Sequence, residues 1–168
     1  PLTWSANWTE LQTESSIGQS VTGIIVHQGS SPQDDGIVVA MSKQSAPSLT
    51  PHLVQFWDPT RGWTELQTGT VTAVTAMTGY RAFGKAIDGV AVGYSDGAVR
   101  YWDGTIGYHS GWEELPTPSG KPGPARDPNV SVTALVPIVE ANSGDRLSLV
   151  VGLGGNNGGV WLYRNPFY

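Results

Sequence analysis

The sequence predicts an all-β protein built from repeated four-stranded units. Three observations lead to this fold class: a tryptophan-centred segment occurs three times, glycine and proline are abundant at 22 and 12 of 168 residues, and there are 7 tryptophans. This composition is typical of many short strands joined by tight turns. Runs of the helix formers Glu, Lys and Ala are missing from the chain, so helices are not expected.

The repeated segment is interpreted as one strand of each unit, here called strand d. WTELQT at residues 8–13 recurs as GWTELQT at 62–68 and as GWEELPT at 111–117, so the three tryptophans lie 55 and 49 residues apart. A repeat of this length is close to the period of a propeller blade, which consists of four strands. Three further strands are therefore expected between successive copies.

These three strands are visible as apolar runs separated by turn formers. Strand a opens with a β-branched pair and reads VTGIIV (21–26), VTAVTAM (71–77) and VTALVPIV (132–139). Strand b reads GIVVAM (36–41), GVAVGY (89–94) and LSLVVGL (147–153). Strand c ends in aromatic residues and reads LVQFWD (53–58), AVRYWD (98–103) and GVWLYR (159–164).

The chain order is then d, abcd, abcd, abc in a single β-propeller domain. Residues 1–13 supply a closing strand d, and the blades span 20–68, 70–117 and 131–164. Completing the last blade with the first strand would leave no long sheet edge exposed. Three blades are fewer than the four to eight of typical propellers. We therefore expect a two-fold homodimer that forms one six-bladed ring, or else a chain that is half of a longer propeller.

The first resemblance is to WD-repeat proteins. Residues 95–103, SDGAVRYWD, resemble the end of a WD-repeat blade, in which an Asp-Gly turn leads into strand c and the strand closes on Trp-Asp. Trp57-Asp58 repeats this ending. The resemblance implies a scaffold that binds a protein or peptide on one face of the propeller.

The second resemblance is to the six-bladed fucose-binding lectins of fungi and bacteria. Trp102-Asp103-Gly104 precedes Gly111-Trp112 as it does in their blades. This resemblance implies sugar sites between blades and a ring assembled from several short chains. Those lectins hold the sugar with an Arg on strand b and a Glu on strand c, and these positions are Ala91 and Val99 here, so fucose binding in their manner is not expected.

We predict a non-catalytic, multivalent carbohydrate-binding protein with repeated sites between blades. Tryptophan faces suit the C–H groups of a sugar, and the planar fork of arginine suits pairs of hydroxyls. The candidate ligand-binding residues are Trp8, Trp63, Trp112, Tyr94, Arg81 and Arg100. In the alternative interpretation, the repeated tryptophans only pack between blades, which is the commoner role of such residues. The WD-like interaction scaffold is the second function considered, and a propeller glycosidase is a weaker third.

Charge and composition argue against other partners. The net charge is −5 with only nine Lys and Arg residues, which gives no basic stripe for nucleic acid or anionic lipid. No run approaches the roughly 20 apolar residues of a membrane span. The absence of cysteine excludes disulfides and thiolate sites and does not identify a compartment.

The sequence predicts no catalytic, metal-binding or cofactor-binding motif. His27, His52 and His109 lack the close spacing of a zinc site. Residues 93–97, GYSDG, match the G-x-S-x-G pattern but lead into a strand, so a hairpin turn is expected there instead of a nucleophile. Glu113 and Glu114 are adjacent on a strand and therefore point to opposite faces, so they do not form an acid–base pair.

Overall fold

The computed structural model describes residues 11, 19–29, 32–43, 52–70, 72–81, 89–105, 111–115, 129–139, 147–155 and 158–164. Every regular element in these ranges is a β-strand, apart from one turn of 3-10 helix at Pro32–Asp34. The predicted all-β class is therefore confirmed. The predicted closing strand at 1–13, which includes Trp8, lies outside the described residues except for Leu11, which is exposed and in no strand.

Within the described residues, the strands form three antiparallel sheets in which neighbours along the chain are neighbours in space. Sheet 1 contains β1 (Gln19–His27), β2 (Gly36–Lys43), β3 (His52–Asp58) and β4 (Gly62–Thr70). Sheet 2 contains β5 (Val74–Tyr80), β6 (Gly89–Tyr94), β7 (Val99–Trp102) and β8 (Trp112–Leu115). Sheet 3 contains β9 (Val130–Val139), β10 (Leu147–Gly155) and β11 (Gly159–Tyr163).

Sheet 2 lies between the other two, and its strand β6 is buried on both faces. Alternate side chains of β6 point to opposite faces, so Val90 and Val92 join the apolar core shared with sheet 1, whereas Ala91 joins the core shared with sheet 3. The first strands of the sheets pack side by side, β1 against β5 and β5 against β9. No strand of sheet 1 packs extensively on sheet 3 in the described part of the chain. The three sheets thus form an open stack, and closure into a propeller stays a proposal.

The first strand of each sheet carries a β-bulge at a threonine. The register slips at Thr22 in β1, at Thr75 in β5 and at Thr133 in β9. In the first two strands, the threonine hydroxyl donates a hydrogen bond of 3.2 Å to a carbonyl oxygen of the neighbouring strand. A shared bulge at the same position gives the three units one common register.

This register corrects the predicted start of strand a in the second unit. The sequence suggested a start at 71, but β5 begins at Val74. Val74 pairs with Tyr94 as Val21 pairs with Met41. The chain contains two Val-Thr pairs in succession there, and the second one occupies the bulge, since the register slips at Thr75 as it does at Thr22 in β1.

Two glycines allow strand b to approach strand c closely at one end of sheets 1 and 2. A Cβ atom added to Gly89 would overlap the carbonyl oxygen of Trp102 and the ring of Tyr101, and Gly36 has the equivalent relation to Trp57 and Phe56. Any side chain at these positions would push the two strands apart. Glycine is therefore required at both positions because the two strands approach each other closely there, and neither glycine has a positive φ.

We predict that Gly89→Ala lowers the free energy of unfolding by about 1–3 kcal/mol, the usual cost of overpacking a core. Gly79→Ala is the matched control, because its added Cβ would find nothing nearer than the Ile25 side chain at 3.9 Å. We expect the control to change stability by less than about 1 kcal/mol. Urea unfolding followed by tryptophan fluorescence measures both variants. Equal stability of the two variants would contradict the assigned close approach.

An edge-to-face aromatic pair recurs beside these glycines. The rings of Tyr80 and Tyr101 lie 5.4 Å apart at 87°, and those of His27 and Phe56 lie 5.6 Å apart at 89°. The Tyr80 hydroxyl is buried and has no hydrogen-bond partner in the described part of the chain. Burial, reinforced by nearby Tyr163 and Tyr101, raises the pKa of Tyr80 to about 12.

We predict that this pKa makes the folded state lose stability as the pH rises from 10 to 12. The unfolded tyrosine ionises near 10, whereas the folded one holds its proton to about 12, so the unfolded state releases its proton first and is favoured over that range. Tyr80→Phe should be as stable as the parent or slightly more so at pH 7, because it removes an unsatisfied hydroxyl. Its stability should fall less steeply with pH in urea titrations at pH 9–12. Parallel curves for the two proteins would show that the Tyr80 hydroxyl is not buried as described.

Candidate functional site

The predicted site residues that come together lie at the seam between sheets 1 and 2. Strands β7 and β8 pair so that Trp102 is opposite Trp112 and Arg100 is opposite Glu114. Trp102 is buried in the core shared with sheet 1. Because alternate residues of a strand share a face, all four side chains are directed toward sheet 1.

An arginine is held in place on this face by an aromatic ring and a carboxylate. The guanidinium carbon of Arg100 lies 5.4 Å from the ring centroid of Tyr94, within the range of a cation–π contact. Its Nε atom lies 3.5 Å from Oε2 of Glu114, and the two side chains are 20% and 46% exposed. Tyr94 itself is buried. The arginine fork is thereby oriented, and the carboxylate reaches solvent beside it.

The indole of Trp112 spans the seam. This half-buried side chain packs against the core between sheets 1 and 2, and its Nε1 donates a hydrogen bond of 3.1 Å to the carbonyl oxygen of Leu66 in β4. The bond fixes the ring orientation, since an indole has a single donor. Trp112 therefore contributes to packing and also borders the Arg100–Glu114 pair along β8.

Two other predicted residues lie elsewhere. Trp63 occupies the position in sheet 1 that Trp112 occupies in sheet 2, but it packs in a small separate cluster with Ile37, Val39 and Met41. Arg81 directly follows β5. Val74, at the other end of that strand, pairs with Tyr94, so the backbone at Arg81 is about 20 Å along the strand from the backbone at Tyr94.

Glu114 is the site residue that sequence reasoning did not select. The prediction that Glu113 and Glu114 point to opposite faces fits the structure: Glu114 pairs with Arg100, whereas Glu113 is opposite Tyr101. Burial, and after it the charge of Glu113, raises the pKa of Tyr163 on β11, so Glu113 is directed toward sheet 3. The opposite-face rule could have separated the two carboxylates and assigned Glu114 to the face of Arg100.

The Trp-Asp carboxylates form turns. Oδ1 of Asp58 accepts hydrogen bonds from the backbone nitrogens of Thr60 and Arg61, at 2.8 and 2.7 Å. Oδ1 of Asp103 accepts one from the nitrogen of Thr105 at 3.0 Å. These are Asx-type turns that end strand c. The acidic residues of the repeat therefore have a structural role at this point.

Metal centres and membrane-spanning helices are absent from the part of the chain that the structure describes. No three His, Cys, Asp or Glu side chains there are grouped as a metal site. None of its helices is long and apolar enough to cross a membrane. Comparison with protein-family models, curated proteins and solved structures gives no match. The function is therefore inferred from the geometry of the seam.

We predict that Trp112→Phe is less stable than Trp63→Phe by about 1 kcal/mol, the net value of one hydrogen bond. Both changes remove similar ring volume from half-buried positions, but only Trp112 donates its Nε1 to a backbone carbonyl within the described residues. Chemical denaturation of the two variants side by side gives the difference. If Trp63→Phe were the less stable variant, the hydrogen bond across the seam would not be what holds Trp112.

Proposed function

We propose that this chain is a non-catalytic carbohydrate-binding protein whose sugar site lies at the seam between sheets 1 and 2. The observation that supports it is the grouping, on one face of sheet 2, of an oriented arginine, a partly exposed carboxylate and a fixed indole: Arg100, Glu114 and Trp112. These are the three kinds of group that a hydroxyl-rich ligand requires.

Each group matches one part of a sugar. The guanidinium presents several N–H donors in a rigid fork, and two adjacent sugar hydroxyls can accept from it. The Glu114 carboxylate only accepts, so it would bind hydroxyl protons. The indole offers a flat apolar surface for the C–H face of the ring. Because Tyr94 and Glu114 already orient Arg100, little side-chain entropy would be lost on binding.

The equivalent positions of the other sheets differ. Gln55 pairs with Val39 in sheet 1, and Trp161 pairs with Val151 in sheet 3, as Arg100 pairs with Val92 in sheet 2. An arginine therefore occupies this position in one of the three units. We propose one sugar site of this kind per chain.

The test is a glycan array followed by calorimetric titration of the best sugar with two variants. Glu114→Gln should weaken binding about 10- to 100-fold, since it removes a hydrogen-bond acceptor that is charged. Glu113→Gln is the matched control: it makes the same change at the adjacent residue, which is also exposed and lies on the opposite face, and it should bind as the parent does. Arg100→Gln should lose binding without unfolding the protein.

Two results would contradict the proposal. If both glutamine variants bound a sugar equally well, the site would lie elsewhere. If the array showed no selective binding by a folded protein, the interaction-scaffold interpretation of the repeat would be favoured instead.

A further inference from the structure

The outer face of sheet 1 carries an exposed apolar stripe on its first strand. Val21, Ile24 and Val26 are between 57% and 73% exposed. Their neighbour Ile25 packs into the core shared with sheet 2, so Ile24 and Val26 point away from sheet 2. We call these three residues the β1 stripe.

The outer face of sheet 3 carries a second apolar stripe. Val136, Val160 and Leu162 are between 42% and 79% exposed. Leu135 and Tyr163 pack toward sheet 2, so Val136 and Leu162 point the other way. We call these three residues the sheet 3 stripe. The two stripes lie at opposite ends of the stack.

Both stripes occupy positions that are buried elsewhere in the chain. By register, Val21 and Ile24 correspond to Val74 and Met77 of β5, which pack on the core shared with sheet 1. The β1 stripe therefore lies on the face of sheet 1 that corresponds to the sheet 1-facing side of sheet 2. No neighbouring sheet covers it within the described residues.

The sheet 3 stripe shows the complementary relation. Val136 corresponds to Ile25 of β1, and Leu162 corresponds to Phe56 of β3. Ile25 and Phe56 both pack toward the following sheet. The sheet 3 stripe thus lies on the face of sheet 3 that corresponds to the sheet 2-facing side of sheet 1.

The contact between sheets 1 and 2 shows which residues would meet. Gly79 of β5 approaches Ile25 of β1, the distance from an added Cβ to the Ile25 side chain being 3.9 Å. Val26 corresponds to Gly79, and Val136 corresponds to Ile25. If sheet 1 of a second chain packed on sheet 3 as sheet 2 packs on sheet 1, Val26 of the second chain would therefore lie against Val136.

We propose that a second copy of this chain covers both stripes, with sheet 3 of each copy packed on sheet 1 of the other. The two contacts are related by one two-fold axis and close a ring of six sheets, which is within the typical range for propellers. The stripes contain no ionisable side chain, so two chains of net charge −5 meet there without opposing like charges. The contact is separate from the Arg100–Glu114 seam and does not depend on the proposed sugar site.

Sedimentation equilibrium and light scattering of the whole chain test this assembly. The expected mass is twice the 17.8 kDa of one chain. Val26→Asp and Val136→Asp should each be folded monomers by circular dichroism, because both residues are exposed in the single chain. Thr105→Asp, at an exposed turn residue outside both stripes, should remain a dimer. Val26→Lys combined with Val136→Asp should recover the dimer, since opposite charges then face each other.

Cysteine cross-linking gives an independent test, because the chain contains no cysteine. The pair Val26→Cys and Val136→Cys should form a disulfide-linked dimer on mild oxidation, and the pair Val26→Cys and Thr105→Cys should not. A parent protein that is monomeric at all concentrations, a mass other than two chains, or dimers unaffected by either aspartate would overturn the proposal. Glycan binding by such a monomer would leave the sugar site standing.

Discussion

Close packing of sheets 2 and 3 depends on a difference in side-chain size between the two faces of β6. β6 shows this asymmetry: Val90 and Val92 point toward sheet 1, while Ala91 and Gly93 point toward sheet 3. A Cβ atom at Gly93 would overlap Val132 of β9, so the valine of the next sheet fills the space that the glycine leaves. The asymmetry gives β6 a direction, since this strand meets the next sheet along the chain on its small-residue side.

The same packing explains why a charged side chain can lie at the seam. The inner strands meet mainly through apolar side chains, because polar groups there would lose water without compensation. Toward β8 the sheets leave room, so Arg100 is only partly buried and Glu114 reaches solvent. Tyr94 accepts the guanidinium on its ring face, which compensates part of the lost hydration. The architecture thus permits polar chemistry at the outer strands, where a ligand can also enter.

Much of the strand order could be predicted from the sequence, because the Trp-centred repeat and its turns are local signals. The Ser95-Asp96-Gly97 turn is an example: Gly97 has a φ of 80°, and Tyr94 and Ala98 close the hairpin. The site was harder to predict, because it depends on register across strands. Arg100 meets Glu114 only because the connection to Gly111, at φ 71°, starts β8 at Trp112. Arg81 was selected because it is near aromatic residues in the sequence. That proximity does not show that Tyr94 pairs with the opposite end of β5.

The threonine bulges affect how these sheets behave toward other chains. Within the described residues, the first strand of each sheet is paired along one edge only, and the backbone groups of its other edge could template a further strand. A bulge leaves one residue out of the ladder and increases the local twist, and the threonine hydroxyls of β1 and β5 bond back to their own sheets. An incoming strand would find the regular spacing of donors and acceptors interrupted at the bulge. The same small irregularity in all three first strands therefore opposes continuous edge-to-edge pairing with another chain.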